Sequence, residues 1–279
     1  MTMQFVLSLF DGAQPGLIFP NQLVGWLGWL ASAALLGWGV LRWRENLTII
    51  RSWWWVALAL LVASPLLASF VGIWLPGTVQ PMPNMPLEMP APAMMIFSAI
   101  PWVLAGGLLG PVPAAVLGLL AGLLIGFYGT HNPFTPLEIS TLALFFSVAV
   151  RQNYRTRFYQ FLRQPLGAAL IVLLVYVPII IWGTLFSTND TLAVRLDYAF
   201  TQVWLVYAAR AGELVIAGVV AHRQDTIGKT HTDLKIIPKS IANPCQAGQF
   251  NIPERRIGRQ KSDAIEVFHS LHQVSSGNT

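Results

Sequence analysis

Apolar positions in this chain fall in long unbroken runs, not in the spaced stripes of a surface helix. The runs are Leu23–Leu41, ended by "RWRE"; Trp53–Leu75, entered through "RSWWW" and left through "LPG"; Met94–Tyr128; Leu137–Val150; Leu166–Phe186; and Ala199–Ala221. A helix crossing a bilayer needs about 20 mainly apolar residues, so each run reads as a span. Met94–Tyr128 is too long for one crossing at about 1.5 Å per residue, and "GPVP" at Gly110–Pro113 interrupts it. Two helices are predicted there, which makes seven spans in an all-α, polytopic helical bundle. The fourth and fifth spans come out short, as tilted or partly re-entrant helices do.

Basic residues set the direction. Arg42, Arg44 and Arg51 lie between spans one and two, Arg151, Arg155, Arg157 and Arg163 between five and six, and Arg223 after seven. Arginine and lysine in short loops stay on the cytoplasmic side, and all three groups share a side only with the N terminus outside and the C terminus inside. Keeping 94–128 as one helix would put the second group on the wrong side, so charge supports the same split. The predicted organisation is an extracellular segment 1–22, a two-helix addition 23–75, an outer loop 76–93, a five-helix glycine-rich domain 94–222 and a cytoplasmic tail 223–279.

Composition agrees: 54% of residues are hydrophobic and 10% charged, against about 25% charged in soluble domains. The early apolar stretch "FVLSLF" lacks a preceding basic region and a following small-residue cleavage site, so it does not read as a removable signal. Cys245 is the one cysteine, which excludes an intrachain disulfide framework and a multi-cysteine metal site. Trp53, Trp54, Trp55, Trp74, Trp102 and Trp204 mostly fall near span ends, where amphipathic rings favour the interface. The outer loop Pro76–Pro92 holds six prolines and three methionines; so much proline rules out helix and favours an extended path.

From His222 onward the chain turns polar, with eight Lys or Arg against five Asp or Glu. Gly228, Pro238, Pro244 and Pro253 interrupt it and no period is sustained, so a largely disordered tail is predicted, with a short amphipathic helix at Asp263–Val274. Its mild basicity suits an anionic inner leaflet. "ERRIGRQK" is too short to bind nucleic acid, and His269 and His272 alone do not make a metal site.

Small residues recur every fourth position through Gly106, Gly110, Ala114, Gly118, Gly122 and Gly126. Gly118, Gly122 and Gly126 form a doubled GxxxG and mark a helix packed closely by backbone approach, either against its own chain or against a second copy. "GTHNPFTPLE" at Gly129–Glu138 reads as a loop with Thr135 capping the next helix and Glu138 in its first turn. His131 and Glu138 together could form a pH-sensitive or cation-contacting rim.

The run "GGLLGPVPAAVLGLLAGLL", then "THNPFTPLE" and the stop "VAVRQNYRTR", resembles the membrane-embedded input region of bacterial signalling proteins. It is similar to the glycine-rich LytS-type domain that precedes GAF, PAS or histidine kinase modules. The resemblance spans roughly Pro92–Arg223 and implies an inner-membrane sensor. No kinase, GAF or PAS signature follows it in this sequence, so the resemblance implies no output activity and raises the expectation of a sensor that lost its output module.

Arg210 and Glu213 lie within the seventh run, three residues apart, so they can pair on one helix face. An unpaired charge there costs several kcal/mol. Two readings stay open: the pair neutralises itself and sets the register of the bundle, or Arg210 faces a cavity and holds an anionic ligand or a carboxylate such as Glu138. Asp190, Arg195 and Asp197 read as solvated. No catalytic constellation, cofactor motif or metal set is present, so a non-enzyme is expected. Its partners would be the lipid bilayer, a small-molecule ligand, and a second copy or a partner signalling protein. Three functions compete: a sensor, a transporter or substrate-binding membrane component similar to the S components of energy-coupling-factor importers, and a structural subunit. The orientation is checked with the native thiol. A membrane-impermeant maleimide is expected to leave Cys245 unlabelled in intact cells and to label it after permeabilisation.

Overall fold

A computed structural model of the chain describes residues 5–8, 15–43, 54–75, 93–152 and 157–235. The Pro/Met-rich outer loop, the sequence from Ile236 on with Cys245 and the predicted helix at Asp263–Val274, and Arg44, Arg51 and Arg155 lie outside the described residues. Met1–His231 forms one compact unit. Thr232–Thr279 forms a second, of which only the helical backbone of Thr232–Lys235 is described.

The described residues form eight α-helices: α1 (Leu23–Arg42), α2 (Trp54–Ser69), α3 (Ile100–Leu108), α4 (Pro111–Ile125), α5 (Thr135–Val150), α6 (Arg157–Arg163), α7 (Pro165–Ser187) and α8 (Leu192–Lys235). Four segments are long and apolar enough to cross a membrane: Leu23–Arg42, Pro111–Thr130, Pro165–Ser187 and Leu192–Arg223. The chain is a multi-pass membrane protein on that ground. Helices α2 and α5 are apolar but shorter, at 16 residues each.

The predicted break at "GPVP" is where α3 gives way to α4. Gly110 adopts φ 122°, a conformation open to glycine, and Pro111 starts α4 where a missing N–H does no harm. At its far end α4 runs into a π-helical turn, Gly126–Thr130.

Two predicted spans are not helical throughout. Trp53–Leu75 reads as one helix in the sequence, yet α2 stops at Ser69 and continues as strand β2 (Phe70–Trp74). Met94 opens no helix; strand β3 (Ala93–Met95) precedes α3, which has only nine residues, about 14 Å of rise. With β1 (Phe5–Ser8) they form an antiparallel sheet in the order β1-β2-β3, registered by Phe5 opposite Ile73 and Gly72 opposite Met95. Aromatic and β-branched residues in "FVGIW" favour a strand, and Ser69 Oγ turns back to the Pro65 carbonyl at 2.7 Å as α2 ends. Gly72 admits the Met95 sulfur, which a Cβ would meet at 2.6 Å. Strand pairing then satisfies backbone groups that leave the helix in an apolar setting. Val71 at the join holds φ 61°, strained for a β-branched residue.

The glycine ladder packs within the chain. A Cβ on Gly118 would stand 2.8 Å from Ala143 Cβ and 3.0 Å from the Ile139 carbonyl; one on Gly122 would stand 2.6 Å from Pro136 Cα. All of these belong to α5. Two serines tighten the contact: Ser140 donates to the Ala115 carbonyl at 2.7 Å and Ser147 to the Gly106 carbonyl at 2.8 Å. Trp102, expected near an interface, is instead buried in the core and meets Phe146 edge-on at 6.1 Å. The last helix also exceeds its expected end at Ala221, remaining helical to Lys235 through Gly228.

A methyl group at Gly122 has to push backbone apart, whereas one at Gly107 meets nothing within 4 Å. Gly122→Ala is therefore expected to destabilise the bundle by roughly 1–3 kcal/mol, the usual range for overpacking, and Gly107→Ala to be neutral or slightly stabilising. Thermal unfolding of both variants in matched detergent tests the difference.

Candidate functional site

Helix α8 carries Arg210 and Glu213 one turn apart and deep in the bundle, 6% and 3% exposed. Arg210 Nη1 donates to Glu213 Oε2 at 2.6 Å. The Glu213 carboxylate is also held from another direction. Met95 N–H donates to Oε1 at 2.8 Å, and Ser98 Oγ donates to Oε2 at 2.8 Å. It therefore sits where β3 ends and the turn into α3 begins, taking a backbone N–H that no helix hydrogen bond uses. Gly212, between the two charged residues, makes this contact possible, because a Cβ there would overlap the Met94 sulfur.

Two further polar groups from other helices gather at Arg210. Tyr176 of α7, fully buried, brings its phenol to the guanidinium. Glu138, in the first turn of α5, is 8% exposed and within electrostatic reach of Arg210. Gly183 of α7 leaves the space its carboxylate fills; a Cβ there would overlap Glu138 Oε1. One guanidinium thus faces two carboxylates. Among the described residues Arg210 Nε has no hydrogen-bond partner.

Two openings adjoin this cluster. A cavity of about 10 Å³ touches Arg210, Glu213, Ser98 and Trp102, close to the minimum for one water, so this cavity has no room for an organic ligand. A groove of about 260 Å³ lies between α1, α5 and α7 and has Glu138 in its wall. Glu138 is the residue shared by the groove and the ion-pair cluster.

The other candidates have structural surroundings. His131, 8% exposed and left-handed at φ 51°, places Nδ1 3.0 Å from the Gly16 carbonyl. Ile18 N–H donates to the His131 carbonyl at 2.8 Å and Gly16 N–H to the Phe127 carbonyl at 3.0 Å. His131 thus anchors the segment ahead of α1, and among the described residues no hydrogen bond or ion pair joins it to Glu138. The loop is turned by Asn132, whose Oδ1 accepts from Phe134 N–H at 3.0 Å, while Thr135 pairs with Thr130 at 2.8 Å instead of capping α5. Arg195 is buried, not solvated, and donates to the Asp190 carbonyl at 2.6 Å and to Gln22 Oε1. Gly118 and Gly122 serve the α4–α5 contact, Gly126 in the turn after α4 packs on the Asn132 carbonyl and Pro136, and none of the three lines either opening. Among the described residues no group of three His, Cys, Asp or Glu side chains could hold a metal.

Sequence reading missed Ser98, Tyr176, Gly183 and Gly212. Each is an ordinary membrane-helix residue by itself, and only the closeness of Glu138 and Met94 makes the two glycines necessary.

Removing one partner of a buried pair strands the other charge and typically costs roughly 3–5 kcal/mol, while replacing both with apolar residues is often nearly neutral. Arg210→Met is expected to lose about that much. Arg210→Met with Glu213→Leu should recover only part of it, because Met95 N–H and Ser98 then lose their acceptor. Full recovery in a denaturation cycle would show that the strand-to-helix turn does not depend on Glu213.

Compared with known protein families, curated proteins and solved structures, the chain finds no match.

Proposed function

We propose that the chain is an integral membrane sensor, the input part of a bacterial signal-transduction protein in the plasma membrane, responding to a small ligand or to the state of the bilayer. In this reading it has seven crossings, with the N terminus outside and the C terminus inside. Segments α2–β2 and β3–α3 complete two crossings with strand where helix runs out, and the chain itself catalyses nothing. The observation that carries the reading is the course of α8. One helix holds the buried Arg210–Glu213 pair and runs unbroken past Arg223 to Lys235. A change in the polar cluster therefore has a continuous helix along which to travel. The likeness of Pro92–Arg223 to LytS-type input regions points the same way.

A second reading, a transporter or substrate-binding component, draws on the broken segments. Strand-interrupted elements meeting at a buried charge are the arrangement transport folds place around a substrate. A structural subunit draws less support, because the glycine ladder is already filled by α5 of the same chain.

Purified chain in proteoliposomes, offered a labelled metabolite panel, separates these readings. Saturable binding without accumulation, weakened by Arg210→Gln, is the outcome expected of a sensor. Net uptake against a protein-free control would overturn it in favour of transport.

A further inference from the structure

The groove between α1, α5 and α7 has one unspent polar group. Ser32 Oγ donates to the Gly28 carbonyl at 2.9 Å and accepts the Trp182 indole N–H at 3.0 Å. Thr141 Oγ1 donates to the Leu137 carbonyl at 2.7 Å. Those three side chains are engaged, and the rest of the lining, including Leu35, Phe134 and Ile179, is apolar. Glu138 remains: more than nine-tenths buried, acceptor-only when ionised, and with no side-chain hydrogen bond among the described residues.

Arg210 is hydrogen-bonded to Glu213 at 2.6 Å and acts on Glu138 only through space, so among the described residues Glu138 has no hydrogen-bonded cation. A carboxyl so placed is neutral when it holds its proton and needs a cation when it gives it up, and among the described residues the groove is the opening that reaches it with room for more than a water. A metal ion is poorly served by a single carboxylate. An anion finds no free donor there. An ammonium group on a hydrocarbon body satisfies both the carboxylate and the walls, with the partly exposed ring of Trp182 beside it.

We infer that this groove binds small apolar amines, the ammonium pairing with Glu138 and the alkyl or aryl body lying between α1 and α7. This names a ligand class for the proposed sensor and rests on that reading only for what binding then causes. A bilayer acyl chain would match the walls equally and leave Glu138 unpaired, so the two occupants differ in their dependence on charge.

The test measures equilibrium binding of labelled n-hexylamine, n-hexanol and hexanoate to the full chain in phosphatidylcholine nanodiscs, with empty nanodiscs as the reference for partitioning. Hexylamine is expected to bind at least ten-fold more tightly than the other two, and Glu138→Gln to reduce it to the level of hexanol. Equal binding of amine and alcohol, or an amine preference that survives Glu138→Gln, overturns the proposal and leaves a groove for lipid. Should Glu138→Gln fail to fold, Leu35→Trp fills the groove from a position 68% exposed and is expected to lower amine binding ten-fold; no effect likewise overturns it. A spin-label distance measured along α8 in the same samples isolates the sensing reading. Binding without any change in α8 retains the amine site and removes the sensor.

Discussion

The fold depends on where the Glu213 carboxylate finds its hydrogen bonds. A carboxylate in the interior of a membrane bundle needs a counter-charge and donors for its remaining lone pairs. Arg210 supplies the first from the preceding turn of the same helix, and Met95 N–H with Ser98 Oγ supplies the rest from a different part of the chain. The same contact solves a second problem. Segment 93–108 changes from strand to helix inside an apolar surrounding, which frees backbone groups that must be satisfied there. Glu213 takes the N–H at that point, so the ion pair and the broken segment stabilise each other.

Close backbone approach is the complementary constraint. Helices α4 and α5 meet over Gly118 and Gly122, and Ser140 and Ser147 donate across the contact to carbonyls of α4 and α3. That packing holds the start of α5 in place and with it Glu138. Gly183 lets α7 come close enough for the Glu138 carboxylate to fit between them. The glycines therefore do more than pack helices: Gly183 and Gly212 each leave room for a group of the polar cluster or its neighbouring strand.

Much of the candidate site was legible in the sequence, though not its membership. Arg210 and Glu213 stand out because charge is rare in an apolar run, and their spacing alone brings them together. Glu138 stands out as a carboxylate in the first turn of a helix. Its association with Arg210 was one of two readings the sequence left open, and the choice between them is a tertiary fact, because Arg210 is carried by α8, far along the chain. His131 shows the opposite outcome: a histidine in a loop has many possible roles, and here it is taken up by a hydrogen bond to the Gly16 carbonyl. Tyr176 and Ser98 carry no local signal, because a tyrosine or serine in a membrane segment is common and acquires a role only from its neighbours.

By itself the sequence determined that this is a multi-pass membrane protein, where its helices break at Gly110, and that one helix face is built for close contact. These follow from hydropathy, proline and glycine conformation and four-residue spacing, all of which act over a few turns of chain. Tertiary structure alone decided that Phe70–Trp74 and Ala93–Met95 are strands, because apolar runs suit helix and strand alike until a partner offers its hydrogen bonds. It likewise decided that Glu138 faces both an open groove and Arg210. An ionisable group in an apolar setting is defined by the charges and donors around it, and here those come from helices far apart in the sequence.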